Sequence, residues 1–139
     1  MPNPTEILIR FEQSQPPIHC GSLAEMDSEL DRLHAERVED LNKGVWDCAL
    51  HVTISFLCHE INLGLGSDVS FVMIGTQPFD DWYCAASGKE DDGEEKMFYG
   101  VGQDSYWPSS RLIPIDAARE AVRFFVSHQE RSPLLSWDY

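Results

Sequence analysis

Cysteine and histidine residues near the middle of the chain are of the types that bind metal or act as nucleophiles. Four of them follow the pattern Cys48-x2-His51 and Cys58-His59, a composition that zinc accepts. If residues 48–58 form one strand, the two cysteines face the core while the two histidines point the opposite way. The apolar neighbours of the cysteines raise a thiol pKa, which disfavours a cysteine nucleophile. We therefore predict no metal site, no catalytic cysteine and no cofactor.

Other patterns of catalytic residues are missing from the sequence. It contains no Walker loop and no GxGxxG, GxSxG, HExxH or EF-hand pattern. Carboxylates are abundant but lie mostly in polar runs, where a solvated surface is the usual explanation. We predict that the chain is not an enzyme. A small enzyme of unrecognised type, using His51 or a buried carboxylate in a cleft, stays open as an alternative.

The charge of the chain points to a kind of partner. Ten Lys and Arg residues against 24 Asp and Glu residues give a formal net charge of −14. Such a surface repels a polyanion, so we expect no direct nucleic-acid binding and favour a basic protein partner. Solubility alone would also explain a negative surface.

The composition also predicts where the protein works. The four cysteines are scattered without a CxxC pair, as in a reducing compartment. No signal peptide and no run of 18 apolar residues is visible, so we expect a soluble cytoplasmic protein without a membrane partner.

Two clusters of residues are candidates for a protein-binding surface. The segment 88–96 concentrates five carboxylates against two lysines at the tip of a predicted hairpin. The second cluster places acidic residues directly beside aromatic ones, with the dipeptide Tyr106-Trp107 expected across the following strands. Tyr and Trp are enriched in interface hot spots, and acidic neighbours steer a basic partner. The predicted partner-binding residues are Asp80, Asp81, Trp82, Tyr83, Glu90, Asp91, Asp92, Glu94, Glu95 and Tyr106.

Each cluster also has a structural interpretation. The acidic segment is equally explained as a flexible solvated loop. Trp82 and Trp107 fit the core as well as an interface, whereas Trp137 fits the core better. Seven carboxylates against two arginines give residues 25–40 a net charge of −5, which a solvated helix face explains.

The elements that must position these residues follow from periodicity. Spacings of three and four predict amphipathic helices, the first with a capping box formed by Ser22 and Glu25, and alternation predicts strands. The predicted helices span 22–41 and 115–128, and the predicted strands 5–12, 49–57, 69–74, 82–86, 97–101 and 134–137. Gly64 and Gly66 predict a turn before the strand at 69–74. Connections between strands are too short for parallel pairing. We predict one α+β domain over residues 1–139, with an antiparallel meander of about five strands packed in two layers against two amphipathic helices.

The C-terminal run from Phe98 to Trp137 resembles a known family. Its matching positions are Ile113-Pro114, Ala121 with Phe124-Phe125, Glu130-Arg131, Leu135 and Trp137. These resemble the end of the Imm-one (Imm1) family of immunity proteins, which are encoded beside bacterial polymorphic toxins. Ser132 before Pro133 and the short ending Asp138-Tyr139 depart from the family's pattern.

The resemblance implies an α+β fold and a role as a stoichiometric 1:1 inhibitor of a toxin in the producing cell's cytoplasm. Toxins paired with this family include nucleic-acid deaminases and nucleases, which must present a basic cleft to their substrate. An acidic surface with aromatic residues could occupy that cleft. The matching positions follow core periodicity, so we assign them no binding role. A general acidic adaptor that binds other proteins is a further alternative.

Overall fold

The computed structural model describes residues 6–76 and 81–138, and these residues form two helices and eleven strands. The α+β class is thereby confirmed. The helices are α1 (Leu23–Asn42) and α2 (Ile115–His128). The strands are β1 (Ile7–Arg10), β2 (Ile18–Cys20), β3 (Ala49–Phe56), β4 (His59–Leu65), β5 (Val69–Ser70), β6 (Val72–Thr76), β7 (Asp81–Ala86), β8 (Glu95–Gly100), β9 (Gln103–Pro108), β10 (Ile113–Pro114) and β11 (Ser136–Asp138).

Helix α1 begins where its sequence predicts. The Ser22 hydroxyl accepts a hydrogen bond from the Glu25 backbone N–H at 3.1 Å, and the Glu25 carboxylate accepts one from the Gly21 N–H at 2.8 Å. Two backbone donors at the helix start are thus satisfied by side chains. Met26 and Leu30 lie on the helix face that is buried in the core.

Helix α2 buries the predicted apolar stripe, including Val122 and Phe125, against the sheet. It ends at Gln129, which adopts the left-handed conformation with a φ of 56° and donates its N–H to the Phe125 carbonyl. Neither helix is long and apolar enough to cross a membrane within the part of the chain that the structure describes.

The two helices are joined by ion pairs. Asp27 of α1 lies 2.9 Å from Arg119 Nη2 and 2.6 Å from Arg123 Nε of α2. Arg119 also contacts Asp31 at 2.8 Å, although its own side chain is only 7% exposed. The arginines therefore connect α2 directly to α1.

Nine of the described strands form one sheet, in the order β11-β7-β6-β4-β3-β1-β2, with β8 beside β3 and β9 beside β8. Strands β3, β4, β6 and β7 form an antiparallel meander. Alternate side chains of β3, such as Val52 and Ile54, pack with the helices into the main core. The predicted antiparallel character is therefore correct for most of the sheet, although the described strands are more numerous than expected.

Strand β4 was not expected, because Gly64 and Gly66 read as a turn. Gly64 lies within β4 instead, and a Cβ on it would come within 2.5 Å of the Phe98 ring. A glycine inside a strand here marks the close approach of another element.

The expected absence of parallel pairing is wrong at one place. Strand β8 pairs in parallel with β3, with Phe98 opposite Ala49 and Tyr99 opposite Leu50. The long crossover that such a pair requires is supplied by the intervening strands β4 to β7 rather than by a helix. As a result, β8 and β7 have different partners, and the segment between them is not a hairpin loop.

A second, smaller core lies on the sheet face opposite the helices. It contains Ala49, Phe71 and Phe98, with Trp107 and Leu112 packed against it. The Trp107 ring stacks on the Phe71 ring, with centroids 4.3 Å apart and planes 9° from parallel. Trp107 is thus a packing residue that fastens β9 to the sheet.

Candidate protein-binding surface

The acidic loop, residues 88–95, is exposed along its whole length. It is nevertheless shaped by local hydrogen bonds: Asp91 accepts from the Gly93 N–H at 2.9 Å, and Asp92 from the Glu94 N–H at 3.0 Å. The Ser109 hydroxyl donates to the Glu90 carbonyl at 3.1 Å and so ties the loop to the end of β9. The loop therefore presents its charges from an ordered turn.

The five carboxylates of the acidic loop lie close together in sequence, and none of them has an ion-pair partner among the described residues. The predicted set here comprises Glu90, Asp91, Asp92, Glu94 and Glu95. On helix α1, by contrast, Arg32 contacts Glu29 and Glu36, and Lys43 contacts Glu39. The loop thus presents five neighbouring carboxylates whose charge no cation of the described residues offsets through an ion pair.

Tyr106 lies beside this loop. It is on β9, its side chain is 56% exposed, and it is two residues from Pro108, whose strand partner is Glu95. The structure therefore brings Tyr106 and the loop carboxylates together, as a binding surface requires.

The second predicted cluster is not part of the same surface. Asp80 lies outside the described residues. Asp81 stands at the start of β7, whereas the acidic loop follows its other end; the length of a six-residue strand, roughly 16 Å, separates them. Strand β7 pairs with β6 and β11, so Tyr106 does not lie across from it as expected.

Strand alternation also divides the second cluster between the two faces of the sheet. Tyr83 shares a face with Ala85, which is buried in the main core, so Trp82 lies on the opposite face. Trp82 packs on Gly75, where a Cβ would lie 2.5 Å from its ring. The two aromatic residues cannot form one contact patch.

Tyr83 instead helps to line an open cavity of about 750 Å³ between β7 and the end of α2. The Arg131 guanidinium lies 3.6 Å from the centroid of the Tyr83 ring, a cation–π contact. Asp81 and Trp137 also line the cavity. Four of the residues in the C-terminal motif line it too: Glu130, Arg131, Leu135 and Trp137. From the sequence, these four residues were expected only to pack in the core. Their match to the C-terminal pattern of the family was the one sequence signal that set them apart.

Trp137 is partly buried, as the sequence favoured. It packs against the main core, and its Nε1–H donates to the Ser132 carbonyl at 3.0 Å.

A polar cluster beneath β9 surrounds His51, the residue that the enzyme alternative would use, and its other members were not predicted from the sequence. His51 is 2% exposed; its Nε2–H donates to the side-chain Oδ1 of Asn62 at 2.8 Å, and its Nδ1 accepts from the Ser105 hydroxyl at 3.2 Å. The Thr53 hydroxyl donates to the same Asn62 oxygen at 2.9 Å. Burial lowers the pKa of His51, which keeps the ring neutral, as these bonds require. Both ring nitrogens are occupied within the protein, which fits a structural role for His51.

The cysteines are placed partly as predicted. Cys20 is buried, but Cys58 is exposed because β3 ends at Phe56 and the Leu57-Cys58 pair forms the turn into β4. The expectation that Cys58 faces the core is therefore wrong. Among residues 6–76 and 81–138, no group of three or more His, Cys, Asp or Glu side chains is arranged to hold a metal ion.

Comparison with protein families gives a match that covers most of the chain. The family model described as Immunity protein Imm1 matches residues 15–138 of the 139. The match extends well upstream of the C-terminal run that carried the resemblance. A search of curated proteins found none that matches.

Proposed function

Since the chain belongs to the Imm1 family of immunity proteins, we propose that it protects its host cell by binding one bacterial toxin and covering the toxin's active site. The family implies a toxin-immunity role and a toxin protein as partner. The proposal adds that the toxin is a nucleic-acid deaminase or nuclease with a basic cleft. It also adds that the complex is 1:1 and forms in the cytoplasm, and that inhibition requires no catalysis by the immunity protein.

The observation that carries the proposal is the acidic loop. Its five carboxylates are exposed and have no ion-pair partner among the described residues, in a chain of net charge −14. An enzyme that binds DNA or RNA must hold Lys and Arg where phosphates lie, and these cations attract an ordered acidic surface in the same way. A bound acidic surface of fitting shape would then block the cleft to nucleic acid.

We assign the main contact to the acidic loop and Tyr106. Asp80, Asp81, Trp82 and Tyr83 are proposed as further contacts rather than as one patch, with Asp81 and Tyr83 on one face of the sheet and Trp82 on the other. A standard interface buries about 800 Å² on each partner and is larger than one loop.

The test uses the toxin encoded by the neighbouring gene. Co-expression should protect cells, and the two proteins should co-purify. In a loop variant the five carboxylates are replaced by Asn or Gln, which keeps the turn-forming side chains and changes the net charge from −14 to −9. We expect its association rate to fall about tenfold or more at low salt and much less at high salt.

A control variant separates the loop from net charge. It neutralises five exposed carboxylates elsewhere and therefore also has a net charge of −9: Glu36, Glu39, Asp47, Asp116 and Glu120. The control should retain most of the association rate. Equal reductions of the association rate in both variants would show that the net charge of the chain, and not the position of the loop, sets that rate. An unchanged rate in the loop variant would place the interface elsewhere, and a wild-type chain that neither binds nor protects would reject the immunity function.

A further inference from the structure

Strand β9 (Gln103–Pro108) leaves one edge of the sheet open. It pairs with β8 on one side, and no strand pairs with its other side among the described residues. The other outer strands, β2 and β11, have three residues each, whereas β9 has six. Among the described strands, the longest free edge is therefore on the strand that carries Tyr106.

The register of the hairpin shows which backbone groups point outward. Gly100 pairs with Gln103 across a two-residue turn in which Val101 and Gly102 have φ values of 51° and 75°. In such a turn the closing pair is hydrogen-bonded, and hydrogen-bonded and non-hydrogen-bonded pairs then alternate along the ladder. The N–H and C=O groups of Asp104 and Tyr106 thus face away from β8.

The side chains of β9 alternate in the same way. Ser105 and Trp107 face the sheet, where they contact His51 and Phe71. Asp104 and Tyr106 are exposed. Ser105 and Trp107 therefore hold β9 in place by packing. Asp104 and Tyr106 have exposed side chains, and their backbone N–H and C=O groups face away from β8.

Proteins usually protect such an edge by making it short or by placing Lys or Pro on it. Strand β9 contains no Lys or Arg, and its only proline, Pro108, is its last residue. A second copy of this chain is disfavoured as the occupant, since each copy has a net charge of −14 and the edge has Asp104 and Glu95 beside it. A strand with basic side chains fits the same surface.

We infer that the open edge of β9 receives an extended, basic strand of the toxin, which adds to the sheet through hydrogen bonds to the Asp104 and Tyr106 backbones. This inference rests on the proposed function and specifies how the partner is held. Main-chain bonds give such complexes their affinity and alternate side chains give specificity. Tyr106 would pack on the added strand, and Asp104 with the acidic loop would face its basic side chains.

Proline substitutions test the edge. Asp104→Pro and Tyr106→Pro each remove an outward N–H without removing a bond to β8, because proline is tolerated on edge strands where the N–H faces solvent. Their matched controls are Asp104→Asn, which removes only the charge, and Tyr106→Ala, which removes only the ring. We expect each proline variant to bind the toxin about tenfold more weakly than its control. Thermal unfolding of the free variants checks that they fold.

Amide hydrogen exchange on the wild-type protein gives an independent measurement. In the free protein the Asp104 and Tyr106 amides should exchange quickly and those of Ser105 and Trp107 slowly. In the complex all four should be protected.

The outcomes separate the inference from the proposed function. If the wild-type protein binds the toxin but the Asp104 and Tyr106 amides stay unprotected, the edge inference is wrong while the immunity function stands. If the proline variants bind as tightly as their controls, the same conclusion follows. A concentration-dependent dimer that the proline variants lose would show that a second copy occupies the edge.

Discussion

Replacing Asp27 tests how α1 and α2 are held together. Asp27 accepts hydrogen bonds from Arg119 and Arg123, and its side chain is 28% exposed. Burial alone would raise the pKa of Asp27, but the hydrogen bonds and charges of the two arginines outweigh it and lower the pKa. Asp31 contacts the same Arg119 at a similar distance but is 73% exposed, which makes it a matched control.

The expected magnitudes differ because of burial. Hydrogen bonds to charged groups contribute about 1.5–3 kcal/mol each, and partial exposure of Asp27 reduces this. We expect Asp27→Asn to lower the free energy of unfolding by about 2–4 kcal/mol, since Arg119 stays buried with a weaker partner. Asp31→Asn should cost less than about 1 kcal/mol, as exposed ion pairs do. For a chain of this size the Asp27 variant should melt on the order of 10 °C lower.

Urea unfolding followed by tryptophan fluorescence measures both variants. The pH dependence adds a second check, because the lowered pKa of Asp27 means that its stabilisation is present above the unfolded value near 3.8 and is lost as pH falls through the folded pKa. The difference between the wild-type protein and Asp27→Asn should therefore shrink below about pH 4. Equal losses in the two variants at pH 7 would refute the argument from burial.

Three further predictions concern the sheet. Gly64→Ala should cost about 1–3 kcal/mol in urea unfolding because its Cβ meets the Phe98 ring, and adding Phe98→Leu should recover part of the loss. Burial lowers the pKa of His51, so the unfolded chain binds a proton that the folded chain does not, and stability should fall as pH drops below about 6.5. His51→Gln should reduce this slope between pH 7 and 5, with the remainder due to His34, whose pKa burial also lowers. Val101→Asn should stabilise the protein by about 0.5–1 kcal/mol in thermal unfolding, since a β-branched residue at a φ of 51° is strained and Asn-Gly favours this turn.

The elements that the sequence predicts well are those with local determinants. Helix α1 starts at the Ser22 cap and buries the residues that recur every three or four positions. Strand β3 shows a clear alternation between core residues such as Val52 and Ile54 and the residues of the other face. In both cases the pattern lies within a single element, so no knowledge of distant contacts is needed.

The pairing of strands depends on distant residues and was not predictable in the same way. Gly64 and Gly66 read locally as a turn, but the residue that requires Gly64 is Phe98, which is remote in sequence. The parallel pairing of β8 with β3 depends on the same second core. Residue types alone do not show which strand will cover that face.

The distribution of charge also depends on contacts between residues that are distant in sequence. By sequence, α1 is the more negative region, with a net charge of −5, while the acidic segment has five carboxylates and two lysines, a net of −3. In the folded protein Arg119 and Arg123 come from α2 to pair with the carboxylates of α1, and they reduce its available charge. No cation does this for the acidic loop among the described residues. The less charged segment is therefore the one whose carboxylates the fold leaves without ion pairs, which is why the proposed toxin contact is assigned to it.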